Sequence, residues 1–373
     1  MNILIIGAGF TGCSLARLMA DKGHNILIKE KLNRIGGLSY TTTSSSGILY
    51  EPFGARTFHT NDERVKDFIQ QFAQFNTYVH HKGILINGIL RHYPLSIETI
   101  KEMPESEQIL KELNDKPKEP DRTNFETFMI SIFGPTLYKL FVYNYTKKMW
   151  GKKPRYLTVE WAFNRIELRK TNSKLFKDVW QGIPIGGYTR LLEKMVSGIP
   201  IEFNSNNFEV SNYDRILFSG KIDELNGYKY GALPYRSLRF DYSEEDLWEN
   251  DKYGTINLPQ HPKYVRKANF KILYQQKTNK SWIQYQEPIQ TDGINLPMYP
   301  INIRENIELF NKYLKESCKS EKIIPVGRLG LYKYLDMDQT VSLSMDMVQL
   351  IENWKTTNPK DRYLQLKTLL NKY

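Results

Sequence analysis

The first forty residues constrain this chain more than any other stretch. Asn2-Ile3-Leu4-Ile5-Ile6 is a short apolar, β-branched run, the pattern of a buried strand. It breaks into Gly7-Ala8-Gly9-Phe10-Thr11-Gly12, a G-x-G-x-x-G turn. Leu15, Leu18 and Met19 then recur at helical spacing until Gly23, placed to end the helix as a left-handed residue. A second strand, Asn25 to Lys29, ends at Glu30, about twenty residues past the glycines. That is the βαβ context in which such glycines bind a dinucleotide. They permit a tight turn and a close backbone approach to a pyrophosphate. The helix N-terminus offers unpaired N–H groups to it, and Glu30 is positioned to hold ribose hydroxyls.

Arg34-Ile35-Gly36-Gly37-Leu38-Ser39-Tyr40-Thr41 follows directly as an R-x-G-G segment. A second glycine pair allows another close approach, and the adjacent arginine can contact a phosphate. The whole arrangement resembles the FAD-binding fingerprint of the glutathione-reductase-like flavoproteins more than an NAD site.

A chain of 373 residues is long enough for two or three domains. No apolar run spans a bilayer, and the N-terminus is occupied by a strand where a signal peptide would carry a basic region. Cys13 and Cys318 make no disulfide framework. A reducing, cytoplasmic setting is expected, with Cys13 a packed thiol. The net charge of +11 is spread along the chain without a nucleic-acid motif, so nucleic acid and membrane are not expected partners. Isolated arginines beside aromatics and glycines suit a small polyanion such as a diphosphate.

Further along, Ile48 to Phe53 reads as a strand, and Thr60 with Glu63 reads as a capping box opening a helix through Val65, Phe68, Ile69 and Phe72. Lys82 to His92 reads as a hairpin around Asn87-Gly88. Residues 101–122, charged and proline-containing, read as a solvated excursion. Asn124 to Trp150 is helical and aromatic, Gly182 to Tyr188 is a second glycine-rich loop, and residues 201 to 282 carry short strands of an antiparallel sheet. A late strand at Ile323 to Val326 and two closing helices complete the chain. The six histidines are scattered and show no metal-ligand spacing.

These segments resemble one family along nearly the whole chain, the UDP-galactopyranose mutases. The matching motifs are Gly7 to Gly12, Arg34 to Tyr40, Phe58-His59-Thr60-Asn61, Tyr145-Thr146-x-x-x-Trp150-Gly151, Gln181 to Thr189, Tyr235 to Phe240, Tyr299-Pro300 and Gly327 to Met337. The resemblance implies an α/β fold in three parts. A discontinuous Rossmann-like FAD-binding domain (1–60, 183–220 and 315–373) joins a small helical domain (61–150) and an antiparallel β-sheet domain (151–182 and 221–314). It implies FAD held by Gly7, Gly9, Thr11, Gly12, Glu30, Lys31, Gly36, Gly37, Leu38, Arg328, Asp336 and Met337. It also implies a nucleoside-diphosphate sugar as substrate. On that resemblance reduced flavin N5 would attack its anomeric carbon, the diphosphate would leave, and the ring would open and reclose as a furanose. Arg165 and Arg266 would balance the diphosphate, with Tyr145, Tyr299 and Tyr334 on phosphate oxygens. Phe141, Trp150, Trp180 and Asn257 would line the substrate pocket. A dimer and a reductant such as NAD(P)H are the other expected partners.

The chain departs from the family near the chemistry. Arg56 stands where the bacterial mutases carry a histidine beside the flavin, and His59 matches only the second histidine of that segment. Histidine titrates near neutral pH, whereas arginine is a permanent cation. Ser96 stands where a sugar-site asparagine is usual, and Trp180 replaces a smaller aromatic. Beside a pyranose–furanose mutase with Arg56, His59, Arg165 and Arg266 in catalytic roles, three alternatives stay open. These are a nucleotide-sugar epimerase using oxidised flavin for reversible hydride transfer, an amine-oxidase-like enzyme, and a non-catalytic flavin or nucleotide binder.

Overall fold

The computed structural model describes residues 1–159, 167–205, 207–246, 248, 251–291, 293 and 295–373. Strand β1 (Asn2–Ile6) is apolar because it is covered on both faces, and it pairs in parallel with β2 (Asn25–Glu30) and with Arg215–Phe218. Ile201–Phe203 extends the sheet beyond β2, and Ile323–Pro325 closes the other edge, giving five parallel strands. Helix α1 (Phe10–Asp21) crosses between β1 and β2 and packs against Met337–Asn353 through Leu15, Ala16, Met19, Val341 and Met347. Gly23 takes the left-handed conformation expected of it.

A second sheet has seven strands, in the order Tyr299–Pro300, Tyr235–Glu245, Ser281–Gln290, Arg266–Asn269, Thr255–Asn257, Lys82–Ile86 and Ile89–Tyr93. Every pairing is antiparallel except that of Thr255–Asn257 with Lys82–Ile86. The hairpin around Asn87-Gly88 is therefore present, but by its pairing it belongs to this sheet and not to the helical segment in which it was expected. Two of its strands run to 11 and 10 residues, longer than the sequence pattern suggested.

The aromatic stretch forms helix Phe125–Leu137, a wider π-turn at Tyr138–Tyr143 and helix Asn144–Trp150. Asn124 and Thr127 cap it reciprocally, and Gly134, non-helical before Pro135, kinks it. Phe125, Phe128, Phe133, Phe141 and Trp150 pack with Ile84, Ile86, Leu238, Val265 and Met298 of the large sheet.

Three local readings are corrected. Asp62, not Thr60, caps helix Glu63–Gln70, because its carboxylate accepts from Arg64 N while Thr60 Oγ1 accepts from Asp62 N. Within 101–122, Ser106–Asn114 is a helix whose Ile109 is fully buried, so one apolar face outweighs the charged composition. Only Leu49–Tyr50 of the span 48–53 is a strand; the rest turns to bring Glu51 inward.

Candidate active site

Three segments meet at the C-terminal edge of β1. The G-x-G-x-x-G turn is tight because α1 passes directly over Gly7: a Cβ on Gly12 would stand 1.9 Å from the Gly7 carbonyl oxygen. The R-x-G-G segment folds onto this turn, with Gly36 N donating to Ala8 O at 2.9 Å. Gly37, left-handed at φ +54°, lies against Gly9. The third segment arrives from the far end of the chain: Gly327 approaches Thr11, and Met337 Sδ accepts a weak bond from Ser39 Oγ at 4.0 Å. Asp336 caps the helix that begins at Met337, in a reciprocal box with Gln339. Glu30 is buried at the end of β2, where its two carboxylate oxygens accept from Ala8 N (2.7 Å) and Leu32 N (2.9 Å). Glycine backbone from two loops meeting at the helix terminus, beside a buried carboxylate, fits a dinucleotide with its pyrophosphate there. Leu38 turns from this cradle towards the aromatic cluster, and Lys31 is exposed. Arg34 was expected to reach a phosphate. Its guanidinium lies 4.0 Å over the Tyr40 ring and 5.2 Å from that of Phe53, so it braces the loop.

Facing the cradle, one side of the large sheet carries Arg266, Asn257 and Ile84 in one register row. Arg266 Nη2 donates to the Tyr145 hydroxyl at 3.2 Å, which ties sheet to helix Asn144–Trp150. Tyr299 and Tyr334 stack at 5.6 Å and 10°, Trp150 meets Tyr299 edge-on at 6.5 Å, and Arg328 lies 4.4 Å over Tyr334. Arg328 also donates to the Leu335 carbonyl, joining this wall to the cradle. Phe141 is buried in the cluster that holds Trp150. Burial pulls the Arg266 guanidinium down, but Tyr145, Tyr299 and Tyr334 outweigh it and leave it raised. Burial raises the Tyr299 phenol, so it stays a hydroxyl donor. Arg266 Nε and Asn257 Oδ1 are buried without a hydrogen-bond partner among the described residues. Such orphans in a charged pocket mark a place where a polar ligand completes the bonding.

Arg56 lies at the same junction. Its guanidinium donates to the carbonyls of Gly54 and Phe53 in its own loop, and its charge acts on Tyr299. Beneath the loop, fully buried Glu51 accepts from Arg56 N at 3.2 Å and from the Tyr274 hydroxyl. His59 is elsewhere engaged: Nδ1 contacts Asp178 at 3.1 Å, and its ring stacks on Phe176 at 3.6 Å. Trp180 packs edge-on against Phe58 and Phe75, which gives it a core role in place of the expected pocket contact. Ser96 is fully buried and caps Ile97–Lys101 while donating to Asn172 Oδ1, so its hydroxyl is not available to a sugar. Arg165 lies outside the described residues.

Two supports were missed in the sequence. Lys148 Nζ donates to the carbonyls of Leu258 (2.8 Å), His261 and Tyr264 (2.8 Å), pinning the loop that leads into Arg266. Arg236 Nε and Nη2 donate to the carbonyls of Met149 (2.9 Å) and Lys148 (3.0 Å), closing the helix that bears Tyr145. A third, Lys82, shares the Arg266 face of the sheet. Nothing in the spacing of a lone lysine announces such roles.

The sequence profile described as UDP-galactopyranose mutase matches residues 140–334, and one for an NAD(P)-binding Rossmann-like domain matches residues 5–72. A probable UDP-galactopyranose mutase of Klebsiella pneumoniae is 31% identical over 91% of this chain and 92% of its own. The chain belongs to the UDP-galactopyranose mutase family. It is thus an FAD-dependent isomerase of the pyranose–furanose mutase class. Another relative, the dTDP-fucopyranose mutase of Escherichia coli, is 28% identical over 94% of this chain and 98% of its own. A crystal structure of reduced UDP-galactopyranose mutase superposes with a TM-score of 0.78 over 97% of this chain and 98% of that one, at 17% identity. The mutase fold is thereby matched end to end. Among the described residues, no helix is long and apolar enough to cross a membrane, and no group of acidic, histidine or cysteine side chains could hold a metal.

Proposed function

We propose that this mutase interconverts the pyranose and furanose forms of a nucleoside-diphosphate sugar, gripping the diphosphate between Arg266 and the Tyr145–Tyr299–Tyr334 wall. The observation that carries the reading is Arg266 itself: a half-buried cation, bonded to one tyrosine, whose buried Nε has no hydrogen-bond partner among the described residues. Among the described residues no carboxylate pairs with it. A half-buried charge in that state is stabilised by an anion that enters with a ligand. The glycine cradle of Gly7, Gly9, Gly12, Gly36 and Gly37 would hold FAD, which when bound and reduced would supply a nucleophile for the anomeric carbon.

The chain's own residues do the rest by charge and position. Arg266, kept protonated by its tyrosines, stabilises the departing diphosphate. Tyr299, kept as a phenol, donates to a phosphate oxygen. Phe141 and Trp150 wall the pocket against water. Arg165 is the second diphosphate arginine on this reading. Arg56 contributes fixed positive charge and no proton transfer. Residues 1–60, 183–220 and 315–373 act as the FAD unit. NAD(P)H or another reductant, a dimeric assembly and a cytoplasmic setting complete the proposal.

The sugar and base are open to direct test, because the relatives are described as acting on galactopyranose and fucopyranose nucleotides. A panel of UDP-, dTDP- and GDP-sugars is incubated with enzyme in both flavin states and read by NMR. Furanose signals with dithionite-reduced enzyme are expected. Epimer signals from oxidised enzyme, without reductant, would overturn the reading.

A further inference from the structure

Strand Lys82–Ile86 turns Lys82, Ile84 and Ile86 to one side of the large sheet. Ile84 and Ile86 are core residues against the aromatic helices. Lys82 occupies the same inward face and is buried, opposite Thr255, on the face that carries Asn257 and Arg266 two residues along the ladder. A lysine at the first of the three inward positions of an otherwise apolar strand breaks the local pattern, and such breaks concentrate at functional sites.

Among the described residues, nothing around the ammonium balances its charge. It lies 5.9 Å from the centroid of the Tyr93 ring, and the charge that acts on it is the like charge of Arg266. Among the described residues no carboxylate pairs with it. Neighbouring His80 offers no counter-charge, since an imidazole is either neutral or cationic; burial and the nearby Lys82 and Arg266 hold it neutral, and the Thr255 hydroxyl lies 3.1 Å from its Nε2. Burial first, and then Arg266, push the Lys82 ammonium well below the ordinary lysine range. Two like charges on one buried face become favourable together when an anion lies between them. A purely structural lysine would instead extend its ammonium to water along an apolar stem.

We propose that Lys82 is a substrate-contacting residue which, with Arg266, forms a two-cation subsite for an oxyanion of the nucleotide sugar. The oxyanion is a phosphate oxygen of the diphosphate or a carboxylate borne by the sugar. This deepens the reading of the site as a nucleotide-sugar pocket and rests on it.

The test uses FAD-loaded protein as wild type, Lys82→Met, Lys82→Val and Lys82→Arg. UDP, UDP-galactose and UDP-galacturonic acid are titrated calorimetrically, with flavin content and melting temperature as controls. If the diphosphate supplies the oxyanion, Lys82→Met retains flavin but weakens all three ligands by about tenfold or more, since a charged hydrogen bond is lost. Lys82→Arg restores much of that affinity. If the sugar supplies it, wild type prefers UDP-galacturonic acid and the loss is confined to that ligand. Lys82→Met binding all three as wild type does would overturn the proposal and leave the functional reading standing. Wild type binding none of them would overturn both. Failure of both the Met and Val variants to fold would make Lys82 structural and also end the proposal.

Discussion

Gly9 and Gly37 meet backbone to backbone: a Cβ on Gly37 would stand 3.2 Å from the Gly9 Cα. Two loops separated by a helix and a strand thus close on each other at a point where neither carries a side chain. Gly37 is also left-handed, so Gly37→Ala adds strain to crowding. The expected outcome is a protein that retains its helix content but purifies with little flavin. Circular dichroism and flavin absorbance per protein, measured together, check it. Unchanged flavin content would remove these glycines from the cofactor site.

Arg266 and Tyr145 make the second testable relationship. Arg266→Ala should weaken nucleoside-diphosphate binding by about 2–5 kcal/mol, because one partner of a desolvated charge contact is removed. Tyr145→Phe should cost about 1 kcal/mol, the net value of one hydrogen bond. Both variants should keep full flavin content, since neither residue touches the glycine cradle. Titration calorimetry with UDP reads both effects, and equal affinity in Arg266→Ala would show the diphosphate to lie elsewhere.

Glu51 yields a pH prediction. Burial raises its carboxyl to about 7, against the opposing pull of the Tyr274 hydroxyl and Arg56. A carboxyl raised on folding favours the protonated, folded state. Its contribution is complete below the ordinary value of 4.5 and is lost as pH rises towards 7. Glu51→Gln keeps an acceptor for Arg56 N without a titrating group. Relative to Glu51→Gln, wild type should therefore lose on the order of 3 kcal/mol between about pH 4.5 and 7. Chemical denaturation of both proteins across that range measures it. Parallel curves would show that Glu51 does not titrate there.

The cofactor half of this site was legible because its signals are local. A strand, a glycine turn and a terminal acid lie within thirty residues of one another. The motif positions Arg266, Tyr299 and Tyr334, far apart in sequence, lie together on one wall. What failed to show was whatever depended on a partner distant in sequence. Ser96 reads as a sugar-site residue until Asn172 is seen to take its hydroxyl. Trp180 reads as a pocket wall until Phe58 and Phe75 are seen packed edge-on against its half-buried ring. His59 matches a family histidine, yet Asp178 and Phe176 hold it. Helix Ser106–Asn114 was hidden because one buried isoleucine among polar residues carries little periodic signal. Lys82 and Lys148 gain meaning only from the strands and carbonyls that tertiary pairing brings to them.

Arg56 is where this mutase should differ most clearly from relatives that carry a histidine there. Its guanidinium is held by the Gly54 and Phe53 carbonyls, and its charge acts at Tyr299 beside Arg328 and Tyr334. Burial and Arg328 draw it down from the ordinary arginine range while Tyr299, Glu51 and Tyr334 oppose this. An arginine still carries its proton throughout the working pH range. A fixed cation near the isoalloxazine favours the anionic reduced flavin, so removing it should lower the midpoint potential by tens of millivolts, on the order expected for one partly screened charge. Arg56→Ala should show that shift, and Arg56→Lys should recover part of it. Arg56→His should introduce a pH dependence of the potential near neutrality that wild type lacks. Spectroelectrochemical titration of the four proteins across pH 6–8 decides the matter: identical potentials in wild type and Arg56→Ala would place the guanidinium away from the flavin ring.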